Sequence, residues 1–166
     1  METAQLAIEY TLLCKDRKLS REILVKKIKS MGFSCSKIEQ GAEGICIDLS
    51  EEIGFYVFLL DAGKYPYNAW ETIFFTGDFT FERTLQFRMD KGYFDFEKRY
   101  GVMLRILFDL TAELNEEAIL VWCGGEEMCF FREDKPALLN NESGIWSRDC
   151  FKDVIAEREV CYKEYS

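Results

Sequence analysis

Residues 79–89 read Phe79-Thr80-Phe81-Glu82-Arg83-Thr84-Leu85-Gln86-Phe87-Arg88-Met89. Phe79, Phe81, Leu85, Phe87 and Met89 face one way; Thr80, Glu82, Thr84, Gln86 and Arg88 face the other, and only Arg83 breaks the pattern. Period two with one wet face is the signature of an antiparallel strand packed on one side. After the turn Asp90-Lys91-Gly92 the period changes. Asp95 is placed to cap a helix, and Phe96, Tyr100, Met103, Leu107, Leu110 and Leu114 recur at spacings of four and three. That is one continuous helical stripe, widened by Val102, Leu104, Ile106 and Phe108. A one-faced strand running into a broad-striped helix predicts helix-on-sheet packing.

Upstream, Ala4 to Cys14 reads as a strand with Leu6, Ile8, Tyr10 and Leu12 on one face. Ser20 can cap a helix ending at Met31, with Gly32 as its left-handed stop. Phe33 to Glu39 reads as a strand; Glu43 to Leu49 and Ile53 to Leu60 read as a hairpin around Ser50-Glu51-Glu52. The second arm is apolar on both faces, which marks a central strand with something packed on each side. Asp61 to Ala69 is the clearest loop, with Gly63, Pro66 and Asn68, and Trp70 to Thr76 reads as another strand. Downstream, Ala118 to Cys123 and Met128 to Arg132 form a hairpin around Gly124-Gly125-Glu126-Glu127. Leu138 and Leu139 add a short extended piece, Ser147 is placed to cap a last helix, and residues 157–166 read as a loosely docked tail. Strands cluster rather than alternate with helices. The expected fold is a single α+β domain over residues 1–166, a mainly antiparallel sheet with helices packed largely on one face.

The 166 residues carry 21 Lys+Arg against 30 Asp+Glu, a formal charge of -9, which disfavours nucleic acid as a partner and either favours a basic one or serves solubility alone. The densest basic stretch holds Arg21, Lys26, Lys27 and Lys29, and its plain reading is the wet face of an amphipathic helix. Seven cysteines at irregular spacing suit reduced thiols better than a disulfide framework. Met1 to Tyr10 has neither a basic segment nor a long apolar stretch, and no apolar run approaches the ~20 residues of a membrane span. A cytoplasmic protein with no membrane partner is expected.

Histidine is absent, which removes Ser-His-Asp and Cys-His catalysis and the commonest metal ligand. No Cys-x-x-Cys and no glycine-rich phosphate loop occurs, so no catalytic residue, metal or cofactor is assigned. Glu133-Asp134-Lys135 has the residue types of a carboxylate-dependent metal hydrolase, but reads more simply as a solvated turn. Binding features are better represented. Tyr65, Tyr67 and Trp70 sit in or beside the long loop, and Tyr and Trp dominate interface hot spots. Glu51, Glu52, Glu126 and Glu127 occupy two hairpin turns; if both lie at one end of the sheet, four carboxylates project together toward a basic partner.

The chain as a whole resembles bacterial immunity proteins of polymorphic-toxin systems, most closely the swarming-inhibition (Sit) type. The residues that carry this are Ile8-Glu9-Tyr10-Thr11-Leu12-Leu13, the Ser-capped helix ending Met31-Gly32, and Phe87-Arg88-Met89-Asp90-Lys91 with the long helix after it. Ala118-Ile119-Leu120-Val121, Leu138-Leu139-Asn140 and Gly144-Ile145-Trp146 complete the match over residues 6–147. The resemblance implies a non-catalytic inhibitor that binds a cognate toxin domain inside the producing cell. It carries no catalytic residues, and its contact residues vary with the toxin. Two other readings stand beside it: a carboxylate-dependent metal-using hydrolase, and an adaptor or small-ligand-binding domain. Oligomeric state has no signature in the residues.

Overall fold

Leu85, Phe87 and Met89 of β7 (Arg83–Met89) are buried, as the alternation requires. They lie on one face of a nine-stranded sheet. A computed structural model describes residues 8–164; Ala4 to Ala7 of the expected first strand lie outside the described residues. The other strands are β1 (Glu9–Cys14), β2 (Ile38–Gln40), β3 (Gly44–Leu49), β4 (Phe55–Asp61), β5 (Ala69–Glu71), β6 (Asp78–Thr80), β8 (Ala118–Trp122), β9 (Glu126–Arg132), β10 (Lys135–Leu139) and β11 (Val160–Tyr162). The helices are α1 (Arg21–Ser30), α2 (Phe96–Leu114) and α3 (Asp149–Ala156). Across the sheet the order is β11-β10-β9-β8-β1-β7-β4-β3-β2, with only the β10–β11 pair parallel. This is the expected α+β arrangement.

All three helices cover the same face. Leu24 and Ile28 of α1, the α2 stripe, and Phe151, Val154 and Ile155 of α3 join one core with Tyr10, Leu12, Val57, Phe87, Leu120 and Leu139. Ser20 caps α1 by accepting from the Ile23 amide at 3.2 Å, and Asp95 caps α2 by accepting from the Lys98 amide at 3.1 Å. Gly32, at φ +99°, supplies the left-handed stop that Met31-Gly32 predicts. Arg99, inside the α2 stripe, is buried; its Nη1 donates to the carbonyls of Gly54 (3.2 Å) and Asp90 (2.5 Å), while its guanidinium lies 4.7 Å from the Phe96 ring centre. It ties the ends of β4 and β7 to the helix. Gly54 itself is required there: φ is +80°, and a Cβ would stand 2.2 Å from the Tyr93 ring.

The expected strand over residues 79–89 divides. β6 ends at Thr80 and β7 begins at Arg83, so the break falls beside the residue that spoils the alternation. Leu85, Phe87 and Met89 enter the helix-covered core, whereas Phe79 and Phe81 enter a second cluster with Leu13, Ile119, Val121 and Phe130. Other expected boundaries also move. Phe33 to Glu39 yields only β2, because Glu52 captures the Ser34 amide and hydroxyl at 3.0 and 3.1 Å and Cys35 turns to φ +50°. Trp70 to Thr76 yields only β5, since Thr72 leaves the pairing to bond Glu127. A short turn over Cys123–Gly125 makes the β8–β9 connection, so Glu126 and Glu127 begin β9. Ser147 does not cap α3: its hydroxyl donates to the Gly144 carbonyl, in a turn anchored by the Trp146 indole on the Met128 carbonyl. The tail from Glu157 docks through β11, parallel to β10.

Phe87 packs edge-on against Phe55, with ring centres 5.3 Å apart, in the middle of the main core. Phe87→Ala is expected to lower unfolding free energy by about 3–5 kcal/mol. Lys152→Ala, at an exposed position, should change it by no more than about 0.5 kcal/mol. Urea titration followed by circular dichroism reads both; equal losses would contradict this core assignment.

Candidate functional site

The second face of the sheet is covered over only part of its width. β5 and β6 form a two-stranded arm, pairing Ala69 with Thr80, Trp70 with Phe79 and Glu71 with Asp78. The arm lies on β1, β8 and β9 through Leu13, Phe79, Phe81, Ile119, Val121 and Phe130, with Trp70 and Phe74 packed alongside. Its tip presents Ile73 and Phe75, and Phe75 also touches Phe130 with ring centres 5.4 Å apart.

A bulge in β9 locks the arm down. The register passes from Leu120 opposite Cys129 to Val121 opposite Glu127, so Met128 is the extra residue. Met128 and Cys129 both enter the helix-side core, and Glu127 turns to the arm side with Val121. There its carboxylate accepts from the Thr72 hydroxyl at 2.6 Å and the Ile73 amide at 3.1 Å. The Phe74 amide in turn donates to Thr72 Oγ1 at 3.2 Å.

Beyond the arm, no other described element covers the second face of β7, β4, β3 and the Glu9–Thr11 end of β1, so β4 is not packed on both sides as its apolar pattern predicts. The registers set Glu9, Arg88, Tyr56 and Asp48 in one row, and Thr11, Gln86, Phe58 and Cys46 in the next. The Glu9 carboxylate accepts from Arg88 Nε and Gln86 Nε2, both at 2.7 Å. The Arg88 guanidinium carbon lies 5.2 Å from the Phe58 ring centre. Held on both sides, Arg88 is pre-organised yet exposed. The wet half of the period-two pattern (Thr84, Gln86, Arg88) was the sequence signal for this surface; what fixes Arg88 comes from Glu9 and Phe58 on neighbouring strands.

The seven residues singled out from the sequence are not gathered into one patch. Glu51 and Glu126 are exposed at the same end of the sheet, but four strand spacings, about 19 Å at roughly 4.8 Å each, separate their turns. Glu51 pairs with Lys37 at 3.3 Å, and Glu52 is taken up by Ser34. Glu127 is 7% exposed and serves the arm, so the expectation of four projecting carboxylates fails there. Tyr65 and Tyr67 are 74% and 83% exposed, on the loop at the opposite end. Trp70 is half-buried, its ring against Gly125. Glu133 and Asp134 form the turn between β9 and β10, where Asp134 exchanges hydrogen bonds with the Asn115 side chain, and Lys135 opens β10 opposite Arg132.

Among the described residues, no group of three or more His, Cys, Asp or Glu side chains stands close enough to hold a metal ion, and no helix is long and apolar enough to cross a membrane. The seven cysteines form no disulfide; burial pushes the Cys14 and Cys129 thiols well up, away from reactive thiolate. Burial also raises the carboxyl of Glu116, which accepts from the Asp16 amide at 3.0 Å. Hydrogen bonds from Ser50 hold Asp48 below its ordinary range.

A family model described as SitI3-like matches residues 8–150. The chain belongs to the SitI3-like family. The match runs from the start of β1 into the first turn of α3, so it takes in the arm, the second face of the sheet and the main core apart from Phe151, Val154 and Ile155. It agrees with the Sit-type resemblance carried by the sequence. No curated protein and no solved structure gives a match.

Two consequences are measurable. Glu127→Ala leaves the Thr72 hydroxyl and Ile73 amide without their acceptor, at a cost of about 1–3 kcal/mol. Hydrogen exchange at Ile73 and Phe74 should accelerate more than exchange in β4; uniform acceleration would mean that Glu127 does not hold the arm. Glu116→Gln keeps an oxygen for Asp16 and removes a buried charge. Because the folded carboxyl titrates above its usual value, the native protein gains stability as pH falls through that raised range toward the unfolded value. The variant should be the more stable at pH 7, with its advantage shrinking on acidification; a pH-independent difference in melting temperature would refute this.

Proposed function

We propose that this SitI3-like protein is a non-catalytic immunity protein that binds a cognate toxin domain in the cytoplasm and neutralises it. The observation that carries the reading is the family match over residues 8–150. The uncovered sheet face supports it as the contact surface. β4 spans about 23 Å at roughly 3.3 Å per residue. A standard interface of about 800 Å² per partner therefore reaches from Glu51, Glu52 and Glu126 at one end to Tyr65 and Tyr67 at the other. Phe58 and Arg88 lie between them, and an aromatic–arginine centre within a polar rim is the usual anatomy of a hot spot. Trp70 and Glu127 act from beneath, by holding the arm that walls the face. The acidic rim and the charge of -9 favour a basic toxin surface.

The test is co-expression with a toxin domain taken from a gene neighbouring this one. Growth should be restored, and the two chains should co-elute on gel filtration. Death of cells that contain the folded protein, with no complex formed, would refute the reading. Arg88→Glu should weaken the complex by more than tenfold, about 1.4 kcal/mol or more. Lys in place of Glu51, Glu52 and Glu126 should slow association chiefly at low salt. Unchanged affinity in both would move the contact off this face.

A further inference from the structure

β11 and β2 are the two edge strands of the main sheet; among the described residues β11 pairs with β10 alone and β2 with β3 alone. The register sets Lys37, Glu39 and Gly41 opposite Asp48, Cys46 and Gly44. The Asp48 amide donates to the Lys37 carbonyl at 2.9 Å, and the Gly41 amide to the Gly44 carbonyl at 2.8 Å. Bonding alternates along an antiparallel pair, so the amides and carbonyls of Ile38 and Gln40 point away from β3, toward the free edge.

Beside that edge runs α1. A groove of about 430 Å³ lies between them, lined by Arg21, Glu22, Val25, Lys26, Lys29 and Ile38. Val25 and Ile38 form its apolar floor; Arg21, Lys26 and Lys29 are exposed cations, opposed by the single carboxylate of Glu22. Arg21 Nη1 donates to Gln40 Oε1 at 2.6 Å, fixing one cation directly over the edge. On a chain of net charge -9 this is a local reversal of sign. The basic stretch of α1 is thus more than the solvated back of a helix, because it borders unpaired strand backbone.

We infer that the free edge of β2 and the basic flank of α1 form a docking site for an acidic extended segment of a partner protein, which adds to the sheet as a further strand. Backbone pairing at Ile38 and Gln40 supplies affinity, and alternate side chains of the guest meet Val25 and Ile38 on one side. Carboxylates on the guest meet Arg21, Lys26 and Lys29. This charge complementarity selects an acidic occupant over a basic one, and it is opposite in sign to the basic toxin surface proposed for the sheet face. The two sites therefore take different segments.

The probe is a short fluorescein-labelled peptide of alternating valine and glutamate; the same peptide with lysine for glutamate is the control. Fluorescence anisotropy with the purified full chain should show saturable binding of the acidic peptide alone. The Ile38 and Gln40 amide resonances should shift on binding. Gln40→Pro removes an edge amide that β3 does not use, and edge strands tolerate proline. It should weaken binding about fivefold, the worth of one hydrogen bond. Lys26→Glu with Lys29→Glu should weaken it further at low salt, whereas Lys152→Glu, on α3 just before the opposite edge strand β11, should not. Absence of saturable binding, equal affinity for the lysine peptide, or full affinity retained in both the proline and charge-reversed variants would overturn the site. Peptide binding by the purified chain is read without toxin, so its outcome is separate from that of the neutralisation test.

Discussion

Burial of one broad helical stripe against one face of a sheet is the constraint that the rest of this structure accommodates. α2 is apolar around most of its circumference, so it must be enclosed by the sheet on one side and by α1 and α3 on others. All three helices are thereby committed to a single face. On the opposite face, the aromatic-rich segment between β4 and β7 packs on Leu13, Ile119, Val121 and Phe130. That segment is too short to cover nine strands, and the uncovered remainder is the proposed binding surface.

The arm and the bulge solve one packing problem together. In an unbulged β9, Glu127 and Cys129 would point the same way. A carboxylate would then enter the helix-side core, or a cysteine would leave it. The extra residue at Met128 separates them, sending two apolar side chains inward and the carboxylate toward the arm. A buried carboxylate is tolerated only when hydrogen-bonded, and the Thr72 hydroxyl and Ile73 amide provide those bonds. The same contact that satisfies Glu127 fixes the tip of the arm.

Charge is distributed with similar economy. Single carboxylates meet several partners: Asp61 bonds Arg17 and Arg83, Asp109 meets Lys27 and Arg158, and Glu9 holds Arg88 and Gln86. Exposed pairs of this kind contribute little to stability. Their effect here is to fix side-chain directions, most plainly at Arg88. Outside such pairs, acid dominates the surface and base collects along one flank of α1, giving two faces of opposite preference.

Local order was legible in the sequence because it depends on neighbours within a turn or two. The stripe from Phe96 to Leu114, the caps Ser20 and Asp95, the stop at Gly32 and the hairpin of β3 and β4 all follow from period and capping chemistry. The missing imidazoles and the family pattern were equally plain. Arg83 even marked the break in the aromatic alternation, although the residue alone did not say which face Phe79 and Phe81 would take. That choice, the inward turn of Glu127, the exposed but fixed Arg88, and the edge position of β2 beside three cations were decided by tertiary structure. Each depends on the register between strands far apart in the chain. A one-residue shift in register moves every side chain to the other face, and no local pattern encodes it.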